Sequence, residues 1–312
     1  MTAHWISSPV HAATCRPRRS WKASIVAMLV VLATMVVAER AVAQAHVERR
    51  VALNAGAMIK GFVPAGSVRI IGWDRDSLVI TGSIASADRL FFGGGGAGVK
   101  FVVESRSGGA ESPATHLVIH LPRKSQMSMK GVSATIEATD ASGSFYSVSG
   151  DVTIAGDVGE VEAEAMDGSV TVTAHARWVR ARTASGTLRL TGEIVDAAAS
   201  SITGPVFVSS SGLASGQFGS VAGDIVFAAP LREGGVFAFD NHSGAIELRL
   251  GPSAAGSFSM TTIAGRIENE MVATRPAGGQ SGRGQSVAFQ LGVGGSHVTV
   301  RTFKGTIRLR NQ

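Results

Sequence analysis

The chain has one cysteine, Cys15, in 312 residues. That excludes an internal disulfide framework and a thiolate metal cluster. Charge is also scarce: Asp, Glu, Lys and Arg make up 17% of the residues, against the roughly 25% usual in globular domains. Proline is sparse, at 9 residues. One apolar run stands out, residues 23–38. It falls short of the roughly 20 residues a spanning helix prefers.

That run has the surroundings of a secretory signal peptide. Arg16, Arg18, Arg19 and Lys22 precede it, and the small-x-small triplet Ala41-Val42-Ala43 follows it. Cleavage after residue 43 is expected, which gives an exported protein in the periplasm or at the cell surface. The alternative is membrane anchorage by residues 23–38. The segment holds five of the 29 basic residues and one of the 23 acidic ones, so 24 and 22 remain and the net charge falls from +6 to +2. A nucleic-acid partner therefore gets little support from charge. Cys15 leaves with the same segment.

Glycine is abundant, at 39 residues, and it is periodic. Gly150, Gly168, Gly186, Gly204, Gly223, Gly244, Gly265 and Gly305 are spaced by 18, 18, 18, 19, 21, 21 and 40 residues, the last about two periods. Two residues after each stands an aliphatic: Val152, Val170, Leu188, Val206, Ile225, Ile246, Ile267 and Ile307. The position four residues after is apolar except at Asn269, and the position five before is always apolar. Apolar steps of two around a polar residue mark half-buried strands. A fixed period with a fixed apolar register marks a stack of repeats. The expected fold is an all-β, single-stranded β-solenoid (β-helix). Each 18–21-residue repeat is expected to hold two short strands joined by a glycine corner, as at Asp167-Gly168.

Three parts are expected: the signal peptide, 1–43; an irregular N-terminal β segment, 44–123; and regular repeats, 124–312. Gly66, Val68 and Ile70 show the repeat register already within the second part. Residues 86–114 read as an excursion from the stack, with Phe91-Phe92 and the run Gly93–Gly96 in a flexible loop. A second irregular loop spans 274–285.

Three stretches carry a resemblance. They are Ser67-Val68-Arg69-Ile70-Ile71-Gly72-Trp73-Asp74, Leu117-Val118-Ile119-His120-Leu121-Pro122, and tandem units such as Val148-Ser149-Gly150-Asp151-Val152. Residues 47–312 resemble the DUF4097 family of candidate bacterial adhesins. The resemblance implies a single-stranded β-helix outside the cytoplasmic membrane, and it supplies no catalytic residue.

Motifs that suggest chemistry have simpler readings. Gly93-Gly94-Gly95-Gly96-Ala97-Gly98 satisfies the dinucleotide fingerprint, but Val99-Lys100-Phe101-Val102-Val103 after it reads as a strand. A phosphate site there needs a helix. His116 and His120 have helical metal-ligand spacing, yet on a strand they stand about 13 Å apart. Asp151, Asp167 and Asp224 flank repeat glycines, where turn chemistry also places Ser169, Thr187 and Pro205. Asp151 and Asp224, four rungs or roughly 19 Å apart, exceed the separation of a glycosidase pair. Asp240-Asn241-His242-Ser243 holds triad residue types but reads as a corner.

No catalytic, cofactor-binding or metal residue is therefore assigned, and no cofactor is implied. The reading is an exported, non-enzymatic β-solenoid: a surface or envelope adhesin, scaffold or binding protein. Its partner is a glycan, peptidoglycan or another envelope protein, with membrane contact only through an uncleaved N-terminal segment. Two alternatives stand beside it: a β-helix lyase or hydrolase acting on polysaccharide, and a scaffold that assembles end to end through exposed strand edges.

Overall fold

The computed structural model describes residues 44–105, 115–272, 277–278 and 284–312. The expected signal peptide, residues 106–114 of the excursion and most of the second loop lie outside the described residues. Twenty-two strands are described, and they hydrogen-bond into one sheet.

The glycine period becomes strand pairing. Val152–Ala165, Val170–Thr183 and Leu188–Ser201 run parallel, each displaced from the last by one repeat. Val152, Val170, Leu188, Val206, Ile225 and Ile246 stand partner to partner and are all fully buried. A second inward row reads Phe145, Ala163, Ala181, Ala199, Phe218 and Phe239. The small side chains occupy the middle rungs. Toward the C-terminus Phe218, Phe227, Phe237 and Phe239 pack ring on ring, with centroids 5.1–5.8 Å apart.

Three rungs differ from the expected pair of short strands. In these the chain is one 14-residue strand, broken only by the four-residue glycine turn. A change of face inside the strand replaces the second turn. At Gly156 and Gly192 it has φ of +87° and +102°, which glycine adopts without strain. Beyond residue 205 the rung does divide, into Val206–Ser210 and Ser215–Ser220.

The repeat glycines are required for another reason. A Cβ on Gly168 would overlap the carbonyl oxygen of Gly150, and one on Gly186 that of Gly168; the pattern continues rung by rung. Any side chain there would force adjacent turns apart. Three residues before most of these glycines a buried polar side chain closes the turn. The Gly150, Gly186, Gly223 and Gly305 N–H groups donate to Ser147, Thr183, Ser220 and Thr302 at 2.9–3.1 Å. Thr183 also donates to the Gly168 carbonyl at 2.9 Å, and Asn241 Nδ2 to that of Gly223 at 2.8 Å. One group thus ties its own turn and the neighbouring rung.

Chain order and spatial order part at both ends. The 40-residue spacing reads as two periods, but the rung of Gly305 lies between those of Gly244 and Gly265. Ile307 pairs with both Ile246 and Ile267, and Val300 with both Phe239 and Met260. Gln285–Leu291 runs antiparallel along the outer side of Gly256–Thr262 and brings the chain back to fill that slot. Asn269, the polar exception, sits on this outer rung, where its Oδ1 accepts the N–H groups of Met271 and Val272. At the other end Met58–Trp73 lies between Gln126–Thr139 and the strands Gly98–Glu104 and Thr115–Pro122.

The excursion therefore belongs to the sheet. Arg89–Gly95 and Gly98–Glu104 form an antiparallel hairpin, so Gly93 to Gly95 lie in a strand and not in a loop. Strand alternation separates the two phenylalanines: Phe92 packs on the core and Phe91 is 52% exposed. Antiparallel strands cover both ends of the parallel stack, and the edge strand Gln44–Ala52 carries Glu48, Arg49 and Arg50. Charged edges resist pairing with another chain, which weighs against end-to-end assembly.

Leu188→Ala should cost about 2–5 kcal/mol through the cavity it leaves. Thr171→Ala, on the adjacent outward row, should stay within about 0.5 kcal/mol. Chemical denaturation separates the two, and equal losses would overturn the register. The turn ladder gives a second contrast. Asn241→Ala should cost about 1–3 kcal/mol, since it strands the Ser243 and Gly244 N–H groups and the Gly223 carbonyl it serves. Ser201 Oγ is buried without a hydrogen-bond partner, so Ser201→Ala should be neutral or stabilising by the same measurement.

Candidate ligand-binding face

Outward residues on the strands before each glycine form three rows. The row farthest from the turn reads Glu160, Trp178, Asp196 and Ser215. The middle row reads Ser128, Ser144, Glu162, Arg180, Ala198 and Gln217. The row nearest the turn reads Glu164, Arg182, Ser200, Gly219, Asp240 and Arg301.

Side-chain size along these rows shapes the surface. Trp178 and Arg180 share one strand, and the guanidinium lies over the indole 5.2 Å from its centroid. Arg180 pairs with no carboxylate among the described residues, whereas Arg182 lies 3.8 and 3.9 Å from Glu162 and Glu164. On one side of this ridge, Ser144 and Gly143 leave a depression of about 280 Å³ that reaches Met58. On the other, Ala198, Ser200 and Gly219 leave one of about 230 Å³, bounded by Arg180, Arg182, Gln217 and Asp240. The result is an aromatic–cation ridge between two open hollows.

Charge elsewhere is spent on structure. Arg123 bridges Asp140 at 2.8 Å and Asp74 at 3.3 Å. The hydrogen bond it donates to Asp140 holds its pKa above the usual guanidinium range, with Asp74 and Asp157 adding to the effect. Asp140, at φ 55°, also accepts the Asp157 N–H. The cluster fastens the turn after Trp73 to the first regular rungs.

The residues singled out in the sequence are dispersed. His116 hydrogen-bonds Ser67 at 2.8 Å and His120 lies against Trp73, both on the outward face of one strand. Asp151 and Asp224 accept the N–H groups of Ser169 and Ala245, each one rung away. Asp167 accepts from the Ser185 hydroxyl. In the 240–243 corner Asn241 serves the turn, His242 stacks on Phe303 at 5.0 Å, and the Ser243 hydroxyl donates to Val221. Among the described residues no three His, Cys, Asp or Glu gather as a metal site.

Sequence reasoning missed the Trp178–Arg180 ridge and the buried Ser/Thr/Asn row. Both were signalled by the same period. Trp178-Val179-Arg180-Ala181-Arg182 alternates outward and inward, and Ser, Thr or Asn recurs three residues before seven of the eight glycines.

No family model matches the chain, and no curated protein does. Solved structures to which the chain shows some likeness include a candidate adhesin from Bacteroides fragilis, 12% identical over 87% of this chain and 99% of that one, TM-score 0.48. A candidate lipid-binding protein from Parabacteroides distasonis is 10% identical over 85% and 96%, TM-score 0.47. A candidate adhesin from Parabacteroides merdae is 10% identical over 85% and 95%, TM-score 0.43. Likeness this distant leaves the functional reading to the chain's own residues.

Proposed function

We propose that this chain is an exported, non-enzymatic β-solenoid of the DUF4097 type, a surface or envelope binding protein that holds a glycan strand across the Trp178–Arg180 ridge. The observation that carries the reading is that ridge, set between two open hollows of mixed polar and apolar lining on an in-register stack. A sugar presents an apolar face to an aromatic ring and hydroxyls to polar neighbours. Trp178 supplies the first contact. Arg180, Gln217 and Ser144 supply the second.

Asp151, Asp167 and Asp224 each hold a neighbouring turn, which favours the binding reading over the polysaccharide-enzyme alternative. Each hollow is shallow, so a single contact is weak, and successive sugars on successive rungs would add by avidity.

Binding to immobilised cell-wall and capsular glycans tests the site. Arg180→Ala and Trp178→Ala should each weaken retention about tenfold, the loss of one or two good contacts. His116→Ala, on the other face, should leave it unchanged. Equal binding by all of them, or none by the parent, would refute the reading. Export has its own test. N-terminal sequencing of secreted or periplasmic material should give a start near Gln44, and a start at Met1 in the membrane fraction would make the protein an anchored one.

A further inference from the structure

The turn edge carries an apolar stripe. Two residues before the repeat glycines, Met166, Ile202, Val221, Phe303 and Ile263 are 39%, 51%, 50%, 40% and 55% exposed. Turn-to-turn hydrogen bonds put them on consecutive rungs. Ala184 N–H donates to Met166, Ile202 N–H to Ala184, Ala222 N–H to Ile202, Ser243 N–H to Val221, Lys304 N–H to His242, and Ala264 N–H to Phe303. Val148 and Val132 extend the stripe at the other end, where Asp167 N–H donates to Val148 and Val148 N–H to Val132. Nine rungs span roughly 38 Å at strand spacing. Contiguous exposed apolar surface of this kind marks an interaction site.

We infer that the stripe is the interface of a side-by-side, antiparallel two-fold dimer of this chain. The argument is charge. Place the axis across the stripe between the Ile202 and Val221 rungs. The stripe then meets itself as Ile202 on Val221, Ala184 on His242, Met166 on Phe303 and Val148 on Ile263. Such an axis also sets each flanking row against the same row reversed. One residue nearer the glycine, the row is uncharged except for Asp167 and Lys304, and these two meet. Four residues before the glycine, Glu164 meets Arg301 and Arg182 meets Asp240. One residue after it, Asp151 meets Arg266. Four opposite pairs form, each occurring twice by symmetry, and no like charges meet on these rows. A dimer interface takes about 800 Å² from each partner. The eight rungs that meet span about 34 Å and reach that at a width of roughly 24 Å, which takes in the flanking rows. The Trp178–Arg180 ridge and the hollow beside Ser144 lie beyond this rim, whereas Arg182 and Asp240, which bound the other hollow, lie within it.

Analytical ultracentrifugation of the purified chain tests the inference. The parent should sediment as a dimer. Ile202→Glu with Val221→Glu should give a folded monomer, checked by circular dichroism. Asp167→Lys and Lys304→Asp, both on exposed turns, should each weaken association at least about tenfold. Together they should restore it. A monomeric parent overturns the inference, and if that monomer binds lipid vesicles through Ile202 and Val221 the stripe belongs to a membrane surface instead. A dimer indifferent to the glutamates places the interface elsewhere. Failure of the paired reversal to rescue rules out the antiparallel register.

Discussion

Close approach of one turn to the next is the constraint on which this structure rests. The repeat glycines lie so near the neighbouring rung's carbonyl that a Cβ would occupy the same space. That contact sets the rung separation at the turns, and the strand hydrogen bonds carry it around the rung. Only under that separation do Val152, Val170, Leu188 and Val206 meet as one buried column. Substitution at the glycines would therefore act on every row at once.

The turns solve a second problem. Tight corners turn backbone N–H and carbonyl groups inward, where each must be paired. Thr183 and Asn241 accept from their own glycine and donate to the carbonyl of the preceding rung's. With that corner satisfied from inside, the residue just beyond it points out. Met166, Ile202, Val221 and Ile263 there leave much of their apolar surface exposed, which is why the edge invites a partner.

The strand faces divide the remaining work. Ion pairs such as Arg69–Glu137 and Arg308–Glu268 join neighbouring rungs on the face after the glycines. Exposed pairs of this sort stabilise little. The opposite face interrupts its charged rows with Ser144, Ala198 and Gly219, and the interruption makes the hollows beside Trp178. Shape there comes from what the ladder omits.

Much of this was legible in the chain itself. Strand periodicity, the inward rows and the glycine turns follow from a two-residue alternation under an 18-residue period, because such stacking is local and repeats. The role of Ser147, Thr183, Ser220 and Asn241 was visible as a recurrence but needed geometry to give it meaning. What the tertiary structure alone decided was order in space. The Gly305 rung enters between those of Gly244 and Gly265, and Met58–Trp73 lies between strands that follow it. Spacing along a chain fixes a residue's register within a rung. It does not fix which rungs are neighbours, because a parallel strand of the same pattern can hydrogen-bond to any of them, and long-range pairing selects one.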